Sequence, residues 1–230
     1  MDGEGGGCVI KWNVLGQARS PDGSALVLVE HDGEYVLRVN GRELMSTKRH
    51  ASELRLGVLG CLSIANRPRA RVLIGGLGLG FTLRGALATL GPDAEVVVAE
   101  LMPQVVTWNR NPAFVGLATK ELEDPRTKIV VDDVFAVLGN SGKFDAIMLD
   151  ADNGTTAMMT AGNRALYEVR GLRTVHAALN DRGVVVYWSA ASEEAFEKLM
   201  KKEGFATQTE RVRAYGTGGP YHTLLLGRRS

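Results

Sequence analysis

The sequence of 230 residues is 45% hydrophobic and 23% charged, which is enough apolar content to bury a full core and is unlike a disordered chain. Its formal net charge of +1 predicts no general attraction to nucleic acid or to an anionic membrane. No apolar run approaches the roughly 20 residues of a membrane span, and the glycine-rich start, 1–7, does not resemble a signal peptide. The 2 cysteines, Cys8 and Cys61, are too few for a disulfide framework or a zinc cage, so we expect free thiols, no metal and a cytoplasmic location.

The first part of the chain, residues 1–48, is predicted to be a tail followed by a small β-meander. Two β-rich runs, 25–30 and 35–39, lie between the turn signals Pro21-Asp22-Gly23, Asp32-Gly33 and Asn40-Gly41. Asp-Gly and Asn-Gly favour two-residue hairpins because both residues tolerate positive φ. The edge strands of such a small sheet can pair with another copy of the chain, so we expect a homodimer.

Residues 49–230 are predicted to form a larger α/β domain. It opens with a helix from 52 to 64, for which Ser52 is the expected N-cap. The predicted strands that follow are 71–75, 95–100, 128–132, 144–150 and 183–189. The predicted helices are 79–90, 103–110, 133–139, 164–179 and 192–203. This alternation indicates a doubly wound parallel sheet, and the pair 206–213 and 221–227 adds a C-terminal antiparallel hairpin.

The most informative motif follows the first strand of that domain. Its glycines let the backbone turn tightly into a helix N-terminus without Cβ atoms that would keep a ligand away; they are Gly75, Gly76, Gly78 and Gly80. A dinucleotide fingerprint started at Gly76 would need a small residue at position 81, where the chain has Phe81. The remaining G-x-G-x-G spacing indicates a nucleoside site. A tight strand-to-helix turn without a ligand is the alternative interpretation.

Acids follow three successive predicted strands. They are Glu100, then Asp132 and Asp133, then Asp150 and Asp152. The carboxyl ends of parallel strands meet at one edge of the sheet, where ligands of such folds bind. An acid about 20 residues after the glycines is placed to accept hydroxyl protons from a ribose. For each single acid a helix N-cap is an equally good interpretation, and Asp133 is the clearest example.

The order of these motifs resembles the spermidine synthase-like group of class I S-adenosylmethionine-dependent transferases. The resemblance covers about 25–227 and implies a β-meander before a methyltransferase-like sheet. It assigns Glu100 to the ribose, Asp133 to the adenine amine, and Leu101, Asp132 and Val134 to neighbouring cofactor contacts. The strand Phe144-Asp145-Ala146-Ile147-Met148-Leu149-Asp150 matches the strand that carries the catalytic acid, which implies catalytic roles for Asp150 and Asp152 and a cofactor contact for Asp150.

The departures from this family concern the substrate tails. Aminopropyltransferases carry an Asp in the glycine loop that helps to hold the amine of decarboxylated S-adenosylmethionine, and here that residue is Gly78. Their acidic cluster ends in Asp, whereas this chain has Asn153. The polyamine-holding Gln and Tyr expected after the meander are missing. A site without an acid for a bare ammonium tail is better suited to a tail with its own carboxylate, which favours intact S-adenosylmethionine.

The leading hypothesis from the sequence is therefore a methyltransferase that uses S-adenosylmethionine and acts on a small amine or similar nucleophile. The alternative is an aminopropyltransferase that uses decarboxylated S-adenosylmethionine and has an altered acceptor pocket. A second alternative is a nucleoside-binding protein without catalysis. The expected acceptor pocket contains Asn153, Trp188 and His222, and either His222 or His50 is a candidate base at its mouth.

Overall fold

The N-terminal region forms a four-stranded antiparallel sheet in the computed structural model, which describes residues 11–150, 165–190 and 194–229. The strands follow each other in the sheet in chain order and are β1 (Asn13–Arg19), β2 (Ala25–His31), β3 (Glu34–Val39) and β4 (Arg42–Ser46). The hairpin turns at Asp32-Gly33 and Asn40-Gly41 have positive φ at both residues, from 47° to 79°. The predicted meander is confirmed, together with the turn chemistry that predicted it.

Helix α1 (Ala51–Cys61) follows the meander and continues into a short 3₁₀ turn, Leu62–Ile64. Its N-cap is His50, which makes no side-chain capping bond, so the prediction that Ser52 caps this helix is wrong. Ser52 lies inside the first turn and is fully buried, with its hydroxyl bonded to side chains instead of to the helix backbone. The local capping rule fails because Ser52 has a partner 170 residues away in the chain.

The second sheet has seven strands and carries the predicted hairpin at one edge. Its strands are β5 (Arg71–Gly75), β6 (Glu95–Glu100), β7 (Thr127–Val131), β8 (Phe144–Leu149), β9 (Leu179–Ser189), β10 (Phe205–Arg213) and β11 (Tyr221–Arg229). The order across the sheet is β10-β11-β9-β8-β5-β6-β7. Strands β5 to β9 pair in parallel, and β11 runs antiparallel to both of its neighbours. The predicted α/β, methyltransferase-like fold class is confirmed.

Six helices of the described residues accompany this sheet. They are α2 (Phe81–Thr89), α3 (Pro103–Asn109), α4 (Thr119–Glu123), α5 (Val134–Asn140), α6 (Val169–Ala178) and α7 (Glu194–Lys202). The sequence analysis missed α4, because five residues without an apolar repeat give no helical signal. None of the helices within the described ranges has the length and apolarity that a bilayer crossing requires.

Hydrophobic cores lie on both faces of the seven-stranded sheet, as expected for a doubly wound fold. On β9, Val184, Val186 and Trp188 face one core while Val185 and Tyr187 face the other. The first core also contains meander side chains, namely Leu26, Leu28, Tyr35 and Leu37, so the two sheets share it.

The domain boundary predicted at 48/49 and the predicted homodimer stay predictions. Burial in the first core raises the pKa of the Cys61 thiol to about 12.

Helices α1 and α2 cross with their backbones in direct contact, and glycine makes the crossing possible. A Cβ added to Gly57 would lie 2.1 Å from the carbonyl oxygen of Thr82, and a Cβ added to Gly85 would lie 2.3 Å from that of Leu54. Because backbone atoms cannot rotate away as a side chain can, larger residues would force the helices apart. The crossing fixes α1 against the helix that begins at the glycine loop.

The Gly57→Ala variant is therefore expected to lose about 1–3 kcal/mol of unfolding free energy through overpacking. The matched control is Gly139→Ala in α5, where an added Cβ meets nothing within 4 Å. That variant is expected to gain up to about 1 kcal/mol from the better helix propensity of Ala. Urea unfolding of both proteins measures the difference, and equal stabilities would show that the two helices are not in backbone contact.

Candidate functional site

The glycine loop between β5 and α2 requires its glycines for two reasons. Gly76, Gly78 and Gly80 have φ of 96°, 53° and 83°, a left-handed conformation that favours glycine. A Cβ at Gly80 would lie 2.2 Å from the Cβ of Ala118, and a Cβ at Gly75 would lie 2.9 Å from side-chain atoms of Leu149 and of Val134. The predicted cofactor residue Val134 thus packs under the loop. The loop delivers the chain into the N-terminus of α2.

Glu100 ends β6 and lies under the glycine loop. Its Oε2 accepts the backbone N–H of Leu77 at 2.8 Å, and its Oε1 accepts the backbone N–H of Met102 at 2.8 Å. The side chain is buried, and this burial raises the pKa of the Glu100 carboxyl above its ordinary value. Each carboxylate oxygen has a second lone pair, so the group can hold the loop and still accept a ligand hydroxyl. Leu101, the next predicted contact, is 37% exposed.

Asn109, which the sequence analysis did not identify, supports the other side of the loop. Its Nδ2 donates to the carbonyl oxygen of Gly78 at 2.9 Å, and its Oδ1 accepts the backbone N–H of Ala118 at 3.1 Å. The residue is 1% exposed. In the sequence an Asn at a helix end indicates only where the helix stops. The only clue in the sequence is that this Asn follows the apolar residues of the helix, at a position where it could be buried and would then need hydrogen-bond partners.

The two acids after β7 lie at the same edge of the sheet. Asp133 caps α5, since its Oδ1 accepts the backbone N–H of Phe135 at 2.7 Å. Asp132 is exposed, and its Oδ1 accepts the backbone N–H of Asp133 at 2.8 Å. The capping interpretation of Asp133 is therefore correct at the level of local structure. The cap uses Oδ1, and a carboxylate has a second oxygen with which to meet a ligand.

Asp150 follows β8 directly beside the glycine loop. Gly75 and Leu149 are paired in neighbouring strands, so Gly76 and Asp150 are the next residues on both. A Cβ on Gly76 would lie 3.5 Å from the carbonyl oxygen of Asp150. The structure thus places this predicted catalytic acid at the loop, half-buried. The other predicted catalytic acid, Asp152, and the predicted pocket residue Asn153 lie outside the described residues.

The other end of the carboxyl edge is formed by β9 and β11. Trp188 is 6% exposed, and its ring meets that of His222 edge-on, with centroids 4.6 Å apart. The hydroxyl of Tyr167 donates to the carbonyl oxygen of Trp188 at 3.2 Å. The indole N–H of Trp188 is buried and has no hydrogen-bond partner among the described residues. Two of the predicted acceptor-pocket residues, Trp188 and His222, are therefore in contact.

The end of β4 and the segment that joins it to α1 lie against the glycine loop and the start of α2. The sulfur of Met45 lies 2.4 Å from where a Cβ on Gly78 would be. The ring of His50 stacks on that of Phe81 with a centroid distance of 4.2 Å and an interplanar angle of 18°. The Nδ1 atom of His50 lies 2.7 Å from the carbonyl oxygen of Thr47. His50 is thus held against the first residue of α2.

Within 11–150, 165–190 and 194–229, no three His, Cys, Asp or Glu side chains are grouped closely enough to hold a metal ion.

The Asn109→Ala variant is expected to lose about 2–4 kcal/mol of unfolding free energy, because it leaves the Gly78 carbonyl and the Ala118 N–H without their partner. The matched control is Asn111→Ala, whose Oδ1 accepts the backbone N–H of Ala113 at an exposed position. That change should cost under about 1 kcal/mol. Urea unfolding compares the two variants, and similar losses would contradict a special role of Asn109 in supporting the loop.

Comparison with known proteins supports the fold. No protein-family description matches this sequence, and no curated protein matches it. Among solved structures, it is similar to a spermidine synthase in complex with the transition-state analogue AdoDATO, with a TM-score of 0.72 and 17% identity over 94% of this chain and 72% of the other. It is also similar to the spermidine synthase of Thermotoga maritima, with a TM-score of 0.70 and 16% identity over the same shares. The chain therefore has a spermidine synthase-like fold.

Proposed function

We propose that this protein is a transferase that binds a sulfonium nucleoside on the glycine loop and passes an aminopropyl group from its sulfur to a small amine. The observation that carries the proposal is the unit formed by the glycine loop, Glu100 and Asp150 at the carboxyl edge of a spermidine synthase-like sheet. It combines a surface without side chains, a buried acid for a ribose and an acid beside the loop for the reacting amine.

The same unit argues against a dinucleotide. The position that a dinucleotide fold fills with Gly or Ala is Phe81, which is 3% exposed and stacked on His50. In a dinucleotide fold a small residue at this position lets the helix pack closely on the strand, and a phenylalanine does not allow that packing. A nucleoside joined to a short tail avoids that requirement.

The reaction depends more on positioning the amine than on activating the donor, because the sulfonium sulfur is already a good leaving group. The amine nitrogen attacks the carbon next to the sulfonium sulfur, the carbon–sulfur bond breaks, and its electron pair stays on sulfur as a neutral thioether. The amine gives up a proton, and Asp150 is placed to hold the ammonium while it approaches. The main requirement is that nucleophile, carbon and sulfur lie in line.

The choice of aminopropyl transfer follows the fold comparison, in which both solved structures are spermidine synthases. Methyl transfer, the leading hypothesis from the sequence, is not confirmed by these comparisons. It stays a second candidate because of Gly78. The left-handed φ of 53° disfavours a side chain there, and the sulfur of Met45 would have to move to admit the acid that would pair with the amine of a decarboxylated donor.

Thermal unfolding of the purified chain tests the ligand class. S-adenosylmethionine, decarboxylated S-adenosylmethionine, methylthioadenosine and, as the control, NAD are compared in parallel. A ligand at about 100 times its Kd adds roughly 2.7 kcal/mol, which is a rise in Tm of about 5–10 °C for a chain of this size. We expect a shift with the decarboxylated donor and none with NAD.

Each outcome of that panel has a consequence. A shift with intact S-adenosylmethionine alone would put methyl transfer first, and the mass of the product formed with an amine panel would then decide. Shifts without turnover of any amine would favour a nucleoside-binding protein without catalysis. No shift with any sulfonium nucleoside or with methylthioadenosine would overturn the proposal.

The donor preference is expected to depend on the contact between Met45 and Gly78. In the double variant Met45→Ala, Gly78→Asp, the smaller side chain makes room for an acid that pairs with a bare ammonium tail and repels a tail carboxylate. We expect decarboxylated S-adenosylmethionine to gain about tenfold in affinity relative to the intact compound, equivalent to about 1.4 kcal/mol. Calorimetric titration measures both Kd values. Met45→Ala alone is the control, and an unchanged ratio in the double variant would show that position 78 does not face the donor tail.

A further inference from the structure

A chain of buried polar side chains links the start of α1 to the start of β11. The Ser52 hydroxyl lies 2.5 Å from Oε2 of Glu53 and 2.7 Å from Nδ1 of His222. Ser52 is 0% exposed and Glu53 is 5% exposed, whereas His222 is half-buried. Two buried polar residues thus connect to one half-buried imidazole at the carboxyl edge of the sheet.

The direction of the hydrogen bonds follows from the number of protons. A serine hydroxyl has one hydrogen, and Ser52 donates it to the Glu53 carboxylate. When Glu53 is ionised, Ser52 is therefore the acceptor at its other contact, and this assigns the hydrogen of a neutral His222 to Nδ1. The neutral imidazole then has its basic lone pair on Nε2, for which no hydrogen-bond partner is seen among the described residues.

The order of the three residues excludes hydrolytic chemistry. In a serine hydrolase the histidine stands between the serine and the acid, so that it can take the serine proton. Here the serine stands between the acid and the histidine, and its proton faces the acid. Such an arrangement does not create a serine nucleophile, and it fixes the tautomer and the orientation of the histidine.

We propose that His222 is the general base for the amine acceptor, and that Ser52 and Glu53 are positioning residues that hold its Nε2 ready for the proton. This inference rests on the proposed transferase function. The acceptor ammonium gives its proton to Nε2, and the freed lone pair attacks the carbon next to the sulfonium sulfur. The carbon–sulfur bond breaks towards sulfur, and the new imidazolium is stabilised through Ser52 by the Glu53 carboxylate.

The surroundings of His222 suit this role. Its ring meets that of Trp188 on β9, and its neighbour on β10 is the uncharged Val212. Among the described residues, the charged groups near it are Arg49, before α1, and Glu53 of α1, which reaches it through Ser52 and whose carboxyl pKa is raised by burial. Burial, and then the charge of Arg49, lower the pKa of His222 below its ordinary value, so the imidazole is neutral and able to accept a proton at neutral pH.

The first test needs no substrate. In the whole protein labelled with ¹⁵N, two-dimensional NMR of the imidazole nitrogens identifies the tautomer of His222, and His222→Gln assigns its signals. We expect hydrogen on Nδ1 at neutral pH. Hydrogen on Nε2 would overturn the proposal, because Ser52 would then donate to the ring and the basic atom would be enclosed.

The second test uses turnover with the amine acceptor as a function of pH. His222→Gln is expected to lower kcat by about 10²–10⁴-fold and to remove the acidic limb of the profile. Glu53→Gln keeps the shape and an acceptor oxygen but loses the charge, so a smaller loss of about tenfold and a lower pKa of that limb are expected. The Kd of the donor should not change in either variant.

His176→Gln is the matched control, because His176 is a half-buried histidine on α6 whose ring lies against Phe205, away from the carboxyl edge. It should keep the wild-type profile. Full activity of His222→Gln with an unchanged acidic limb would overturn the role of His222 while leaving the transferase intact. If the wild-type chain turns over no amine, the transferase proposal fails. The tautomer measurement still decides whether Ser52 and Glu53 orient His222 with its hydrogen on Nδ1.

Discussion

The carboxylate of Glu100 connects the sheet to the glycine loop. One of its oxygens accepts a backbone N–H from the loop, at Leu77, and the other accepts one from the following turn, at Met102. A buried acid is costly to ionise, as its raised pKa shows, and two charge-assisted bonds to backbone offset much of that cost. The loop then keeps its shape without a ligand, and a nucleoside would meet a surface that is already formed.

Helix α1 connects three parts of the fold that are far apart in the sequence. Gly57 places it against α2 just beyond the glycine loop, and Ser52 places its first turn against β11. The stretch before it contacts the loop through Met45 and the first residue of α2 through His50. Displacement of this helix would therefore alter both the nucleoside side and the proposed acceptor side of the site. A small N-terminal meander that shares the first hydrophobic core fixes where the helix begins.

Local patterns predicted the elements well, and tertiary contacts explain what they missed. The strands at 71–75 and 95–100 were predicted with their observed ends, because apolar runs followed by glycine or an acid have few other interpretations. The acids at strand ends could be placed from topology alone. Ser52 and Asn109 could not be, because each has a typical local role, and a partner distant in sequence overrides it. Helix α4 is short and is held by an ion pair between Arg84 and Glu121, which no local pattern encodes.

The departures of the sequence from the aminopropyltransferase pattern correspond to contacts in the structure. Where that pattern has an acid in the glycine loop, this chain has Gly78, and the sulfur of Met45 lies where the Cβ of that acid would be. On the acceptor side, the expected polyamine holders are absent after the meander, and the same region supplies Ser52 and Glu53 to a histidine from the C-terminal hairpin. A fully enclosed serine and an almost fully enclosed glutamate cost free energy to bury unless each is satisfied, and here the serine satisfies the glutamate. That arrangement leaves the imidazole of His222 at the edge of the sheet where Asp150 also lies. The two proposed roles are therefore separate, because Asp150 would hold the ammonium group of the acceptor and His222 would accept its proton.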